Sequence, residues 1–204
     1  NTLYCANSGI FDQIHKKMGK FISHNLKISL KEAKILQNKY FVENGTTLHG
    51  LMINHRINPK KFLEYVHDID FSIVKPDKEL NNLIKKISGK KIVFTNADIS
   101  YVKKILINLD LNNVFDDIYD IERMNFLPKP NLETYKKLIS TYNVKNGILF
   151  DDIPHNLFPA ADLGLKTVQV YNKKLHKELN GTSKKIDYMT NNLKEWLKKW
   201  IQNN

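Results

Sequence analysis

From Pro76 to the end of the chain, short apolar runs alternate with helical segments, and this alternation constrains the fold more than any other feature. Asp77 can cap a helix running to about Ile87, with Leu80, Leu83, Ile84 and Ile87 on its inner face. Ser88-Gly89 ends it, and Ile92-Val93-Phe94 follows as a strand. A helix over about 99–109 leads to a second strand near 115–119, and one over about 132–141 to a third at 147–150. A helix over about 156–163, stopped by Gly164, leads to a last strand at 167–170. Leu193, Trp196, Leu197 and Trp200, at i, i+3, i+4 and i+7, predict an amphipathic helix that docks on the sheet. Strand and helix in strict turn with short joints mean an α/β fold with a doubly wound parallel sheet.

The preceding stretch has another rhythm. From about Ile10 to Val74 the pattern is helical throughout. Phe11, Ile14, Met18, Phe21 and Ile22 recur at helical spacing, as do Ala33, Leu36, Tyr40 and Phe41, and Asn58-Pro59 starts a further helix with Phe62, Leu63 and Val66 on one face. Asn1-Thr2-Leu3-Tyr4 reads as a loop just after a strand of the sheet region. The helical block is therefore read as an insertion: residues 1–9 and 75–204 form the α/β core, its first strand missing, and residues 10–74 an all-helical cap.

Composition narrows the function classes. The 204 residues are 42% hydrophobic and 26% charged, as in an ordinary globular protein. A single cysteine, Cys5, excludes an internal disulfide framework and points to a reducing, cytoplasmic setting, where it reads as a packed small residue. No apolar run approaches the ~20 residues of a membrane span, so no membrane partner is expected. The net charge of +11 comes almost wholly from lysine, since only Arg56 and Arg123 are arginine. The lysines are spread along every helix without interleaved aromatics, which argues for a solvated surface and against nucleic acid. Nothing in the sequence indicates an oligomeric state.

Three short stretches carry chemistry. Thr95-Asn96 follows the first strand, Pro128-Lys129-Pro130 lies in a loop, and Asp151-Asp152 ends a strand. Open α/β sheets bind ligands at the carboxyl ends of their strands, which is where these residues fall. Each alone reads as a turn, an exposed loop or a helix cap; together and in order they read as a site. His67, Asp68 and Asp70 lack convincing metal-ligand spacing and are assigned a structural role, and His155 reads as an exposed loop histidine.

With Asn1-Thr2-Leu3-Tyr4, Thr95, Lys129 and Asp151-Asp152 in that order, the chain resembles the haloacid dehalogenase superfamily of phosphohydrolases. The segments Asn44-Gly45-Thr46-Thr47-Leu48-His49-Gly50-Leu51-Met52 and Tyr65-Val66-His67-Asp68-Ile69-Asp70 are similar to the lid of its pyrimidine 5′-nucleotidase-like branch. The resemblance implies an Asp nucleophile that forms an aspartyl-phosphate and, two residues later, an Asp acid/base. Neither is present; both would precede Asn1, so the chain is read as truncated inside its own active site and inactive as it stands.

The resemblance also implies roles for residues that are present. Thr95 and the Asn96 amide would hold phosphate oxygens, and Lys129 would neutralise phosphate and nucleophile. Mg²⁺ would be the cofactor, with Asp152 as direct ligand, Asp151 close behind and Asn156, four residues after Asp152, bracing it. Asn44, Gly45, Thr46 and Thr47 form either a substrate-binding loop that closes over the site or the start of a lid helix. The expected substrate is a small phosphate monoester, a pyrimidine nucleotide ahead of others. The alternatives are a phosphatase for phosphoglycolate or a sugar phosphate, a haloacid dehalogenase, or a binding module without catalysis. An acidic pair at 151–152 argues against the dehalogenase, which needs no metal.

Overall fold

The computed structural model describes residues 2–172 and 183–203. After a short 3-10 turn at Ala6–Ser8 come four helices: α1 (Ile10–Leu26), α2 (Leu30–Asn44), α3 (Thr47–His55) and α4 (Pro59–Val66). Their starts are written locally. Ser29 and Glu32 form a reciprocal capping box on α2, Thr46 caps α3, and Asn58 followed by Pro59 opens α4. Ile10, Ile14, Phe21 and Ile22 of α1 meet Ala33 and Tyr40 of α2, Leu48 and Leu51 of α3, and Phe62, Leu63 and Val66 of α4 in one core. Phe21 stands edge-on to Phe62 at 5.1 Å. Gly50 lets α3 approach α2: a Cβ there would lie 2.4 Å from the Tyr40 side chain.

The rest of the chain is α5 (Lys78–Lys86), β1 (Ile92–Phe94), α6 (Ile99–Asn108), β2 (Asp117–Tyr119), α7 (Leu132–Tyr142), β3 (Ile148–Asp151), α8 (Pro154–Asp162), β4 (Lys166–Val170), β5 (Tyr188–Thr190) and α9 (Leu193–Asn203). Among the described residues every strand pair is parallel, as expected of an α/β core. The second strand begins at Asp117, two residues later than its sequence suggests, with Asp116 tied to Lys91 just before it by its amide at 2.8 Å and its carboxylate at 2.6 Å. Strand β5 was not legible: Tyr188-Met189-Thr190 is neither an apolar run nor a sustained alternation. Helix α9 packs through its aromatic stripe, with Trp196 edge-on to Phe150 at 5.1 Å and stacked on Trp200 at 5.1 Å. Lys194 and Lys198 pair with Glu79 at 2.9 Å each, tying α9 to α5.

The strands form two sheets, β1-β2 and β3-β4-β5, which share no strand pairing among the described residues. A cleft of about 1070 Å³ is lined by β1 on one side and β3 on the other, and by α1, α2 and α4. Ile92, Val93 and Phe94, and Ile148, Leu149 and Phe150, are only half-buried, although apolar strands of a parallel sheet are normally covered on both faces. Two parallel strands thus turn open edges towards one slot. Cys5, expected to be packed, is exposed, because it precedes the 3-10 turn rather than a core-facing position. Among the described residues, no helix is long and apolar enough to cross a membrane.

Candidate active site

One ammonium group spans the carboxyl ends of β1 and β3. Lys129 Nζ donates to Asp151 Oδ2 at 2.6 Å and to the Phe94 carbonyl at 3.0 Å, and lies 4.9 Å from the Phe94 ring centroid. The pair is deeply buried, with side chains 8% and 4% exposed. The loop carrying Lys129 is held by Asn96, whose Oδ1 accepts from the Lys129 amide at 2.8 Å and whose Nδ2 donates to the Lys129 carbonyl at 3.2 Å. The Lys129–Pro130 peptide is cis. The Asn96 side chain is therefore spent on the lysine loop, which leaves its backbone N–H as the Asn96 group suited to a phosphate oxygen.

Asp151 is fully engaged by the protein. Besides Lys129, it accepts from the Ile153 amide at 2.9 Å and from Asn156 Nδ2 at 3.0 Å. Asn156 thus braces Asp151 and not Asp152, a correction to the four-residue spacing argument. The reason is local: α8 begins only at Pro154, so Asp152 lies outside the helix and the helical spacing rule does not apply. Beneath the pair, the Tyr135 hydroxyl donates to the Asn156 carbonyl at 2.5 Å. Burial, and then the charge of Asp151, push the Tyr135 phenol well above its ordinary range, so it stays protonated. Sequence reasoning missed Tyr135, because an aromatic on the inner face of a helix reads as core.

Asp152 lines the cleft, half-buried, and its Oδ1 accepts from Thr2 Oγ1 at 3.3 Å. Thr95 lines the same cleft, and its Oγ1 accepts from the Ala97 amide at 3.1 Å. The segment that follows Thr2 is anchored too: Tyr4 and Tyr101 share a hydroxyl–hydroxyl bond of 2.8 Å. Burial raises the Tyr4 phenol, the bond to Tyr101 partly offsets this, and the charge of Asp152 raises it further.

The helical block reaches this mouth through Gly45. Its φ is +77°, and a Cβ would lie 3.3 Å from the Lys129 carbonyl, so glycine suits both the turn and the close approach. Thr46 Oγ1 accepts from the His49 amide at 3.1 Å, and Thr47 Oγ1 donates to the Gln37 carbonyl at 3.0 Å. The segment is thus a helix start and a cleft wall at once. Asn44 is not brought to the cleft; its Oδ1 is buried against the Gly50 position with no partner among the described residues. His155 lies in the first turn of α8 and is exposed.

Among the described residues, no group of three or more His, Cys, Asp or Glu side chains could enclose a metal. Mg²⁺ is commonly held by one or two carboxylates with substrate phosphate and water completing the shell. Of the two carboxylates on the cleft wall, the more exposed Asp152 fits the protein's share of such a site, whereas Asp151 has its oxygens bound to Lys129, Asn156 and Ile153.

Comparison with solved structures agrees with the topology. The protein superposes on a haloacid dehalogenase-type phosphatase from Thermococcus onnurineus with a TM-score of 0.59 at 15% identity, covering 94% of this chain and 90% of that one. On the haloacid dehalogenase-type hydrolase YfnB of Bacillus subtilis, solved bound to magnesium, the TM-score is 0.55 at 14% identity, covering 93% and 92%. The chain has the haloacid dehalogenase-like fold. In sequence it is 27% identical over 186 residues to phosphate metabolism protein 8 of Saccharomyces cerevisiae, covering 81% of this chain and 57% of the relative. The chain thus spans a little over half the length of that relative. No family model matches the chain. The haloacid dehalogenase-like fold accounts for the clustering at the carboxyl ends of β1 and β3, because open α/β sheets place ligands there.

Proposed function

We propose that this chain belongs to a Mg²⁺-dependent phosphomonoesterase, whose attacking carboxylate and acid/base lie in a strand that fills the slot between β1 and β3. The observation that carries this reading is Lys129, a buried ammonium joining β1 to β3 at the mouth of a slot between two parallel strand edges. A strand entering that slot parallel to both would emerge at Thr2, beside Asp152. In this reading the Thr95 hydroxyl and the Asn96 backbone N–H hold phosphoryl oxygens, while Lys129 offsets the charge gathered between phosphate and carboxylate. The upstream carboxylate displaces the ester oxygen and water later releases phosphate, a sequence that needs a proton given and then taken by the second carboxylate. Bound at Asp152, Mg²⁺ would supply further neutralisation of phosphate charge.

The helical block, residues 10–74, serves as the cap, and the segment Gly45–Thr47 meets the distal part of the substrate. Similarity to a yeast protein named for phosphate metabolism supports a phosphate ester, and the lid motifs favour pyrimidine mononucleotides. A cytoplasmic location is part of this reading, and the single cysteine supports it.

The test compares the 204-residue chain with one extended through the preceding strand. With Mg²⁺ and an aryl phosphate, only the extended protein should turn over. The ratio of kcat/KM among UMP, CMP, AMP, phosphoglycolate and a hexose phosphate then decides the substrate class. Turnover by the chain alone, free of contaminating phosphatase, would overturn the mechanism; a preference for phosphoglycolate or sugar phosphate would remove the nucleotidase reading.

A further inference from the structure

The helical and α/β blocks are joined by two connections, and the second begins at His67, which closes α4. This connection is clamped to the helical block on one side: Lys17 pairs with Asp68 at 2.5 Å, and Gln13 exchanges hydrogen bonds with the Asp70 backbone at 3.1 and 3.0 Å. On the other side His67 Nδ1 bonds Asp98 Oδ2, with side chains only 11% and 13% exposed. Asp98 is the cap of α6 and accepts from the Tyr101 amide at 3.0 Å. The His67 ring lies against Tyr101, centroids 4.3 Å apart, and Tyr101 in turn bonds Tyr4.

The cluster has two routes into the site. Asp98 follows the Thr95-Asn96-Ala97 turn, where Ala97 bonds the Thr95 hydroxyl, and Tyr4 lies two residues from Thr2, which bonds Asp152. Another ion pair between the blocks, Lys60 to Glu122 at 3.3 Å, is exposed and contributes little. We propose that His67 is a positioning residue: its bond to Asp98 fixes the hinge, so that the Gly45 turn stays seated on the Lys129 loop and the site stays covered. The role in substrate binding rests on the phosphatase reading; the role in hinge geometry does not.

The experiment uses the protein extended through the preceding strand, in a Cys5→Ser background. Spin labels go at Ile35→Cys on α2 and Lys103→Cys on α6, both exposed, and the distance between them is measured by pulsed resonance. The parent should give one narrow distribution. His67→Phe, which keeps a ring against Tyr101 but cannot bond Asp98, should broaden it. His67→Asn, whose amide nitrogen can replace Nδ1, should restore it. Asp98→Ser keeps a helix cap but cannot reach His67, and should broaden it as His67→Phe does. In kinetics the broadened variants should raise KM for a nucleotide by about tenfold, the lower end of what one hydrogen bond to a charged group is worth, with kcat for a small aryl phosphate unchanged. Distance distributions equal to the parent's in both His67→Phe and Asp98→Ser would overturn the proposal. If the extended parent hydrolyses no phosphate ester, the function reading falls while the distances still decide the hinge. If His67→Phe does not fold, Asp98→Ser carries the same decision.

Discussion

Asp151 and Asp152 are neighbours in sequence but serve different surroundings: Asp151 is buried against Lys129, Asn156 and the Ile153 amide, while Asp152 lines the cleft beside Thr2. Asp151 is the last residue of β3 and Asp152 lies in the bend that follows, so the two side chains leave different backbone. The two carboxylates should therefore respond differently to substitution. Asp152→Ala should leave the urea midpoint nearly unchanged and abolish the stabilisation by Mg²⁺. Asp151→Ala should lower the midpoint sharply. A Mg²⁺ thermal shift that survives Asp152→Ala would rule out Asp152 as the ligand.

Lys129 should show both kinds of effect. Removing one partner of a buried ion pair costs about 3–5 kcal/mol, because the other charge is left buried without its counter-charge. Losing one charge-stabilising contact in the reaction typically costs ~10²–10³ in kcat. Lys129→Ala should show both losses in the extended protein. Lys129→Met with Asp151→Leu should recover most of the stability and none of the rate, measured by urea denaturation and aryl phosphate turnover. Near-normal turnover by Lys129→Ala would remove Lys129 from the chemistry.

Gly50→Ala should destabilise the helical block. The added methyl would lie 2.4 Å from the Tyr40 side chain and 2.8 Å from Asn44 Oδ1, both on a helix packed against it. Overpacking of this kind costs about 1–3 kcal/mol. The higher helix propensity of alanine offsets it by about 1 kcal/mol at most. A lower unfolding temperature, read by circular dichroism, is the expected result; an equal or higher one would show that α2 and α3 can separate freely.

Asp117 gives the protein an acid-sensitive tie. Its Oδ2 accepts from Arg123 Nη1 at 2.8 Å and the Tyr142 hydroxyl at 2.7 Å, and these hold its carboxyl at about 2, the Arg123 bond foremost. A carboxyl depressed on folding stabilises at pH above its unfolded value and loses that contribution as pH falls through the folded value. The window runs from about 4 down to about 2. The side chain is 42% exposed, so solvent screening keeps the effect small. Asp117→Asn should flatten the fall in stability over that window; an unchanged slope would mean the tie contributes nothing.

The fold was legible where one local rule dominates. Helices α1 to α4 follow from apolar spacing and from Ser29, Thr46 and Asn58 as caps, and strands β1, β3 and β4 from short apolar runs. Strand β5 was hidden because its pairing with β4, not its own residues, makes it a strand. In the site, the positions of Thr95, Lys129 and the acidic pair at strand ends were readable. Their partners were not: Asn96 holding the Lys129 loop, Asn156 turning to Asp151 and His67 meeting Asp98 all join residues far apart or follow a helix boundary set two residues off. Periodicity reports which face a residue occupies but not what it meets there.

The facing edges of β1 and β3 bear on more than catalysis. An unpaired strand edge offers its backbone to any extended chain that reaches it, and natural proteins guard such edges with charge, proline or a covering element. Neither Ile92-Val93-Phe94 nor Ile148-Leu149-Phe150 has such a guard within it. An extended segment of a second molecule could bond to the backbone of either edge, so the two apolar ladders that flank the cleft are also places where copies of the chain can associate.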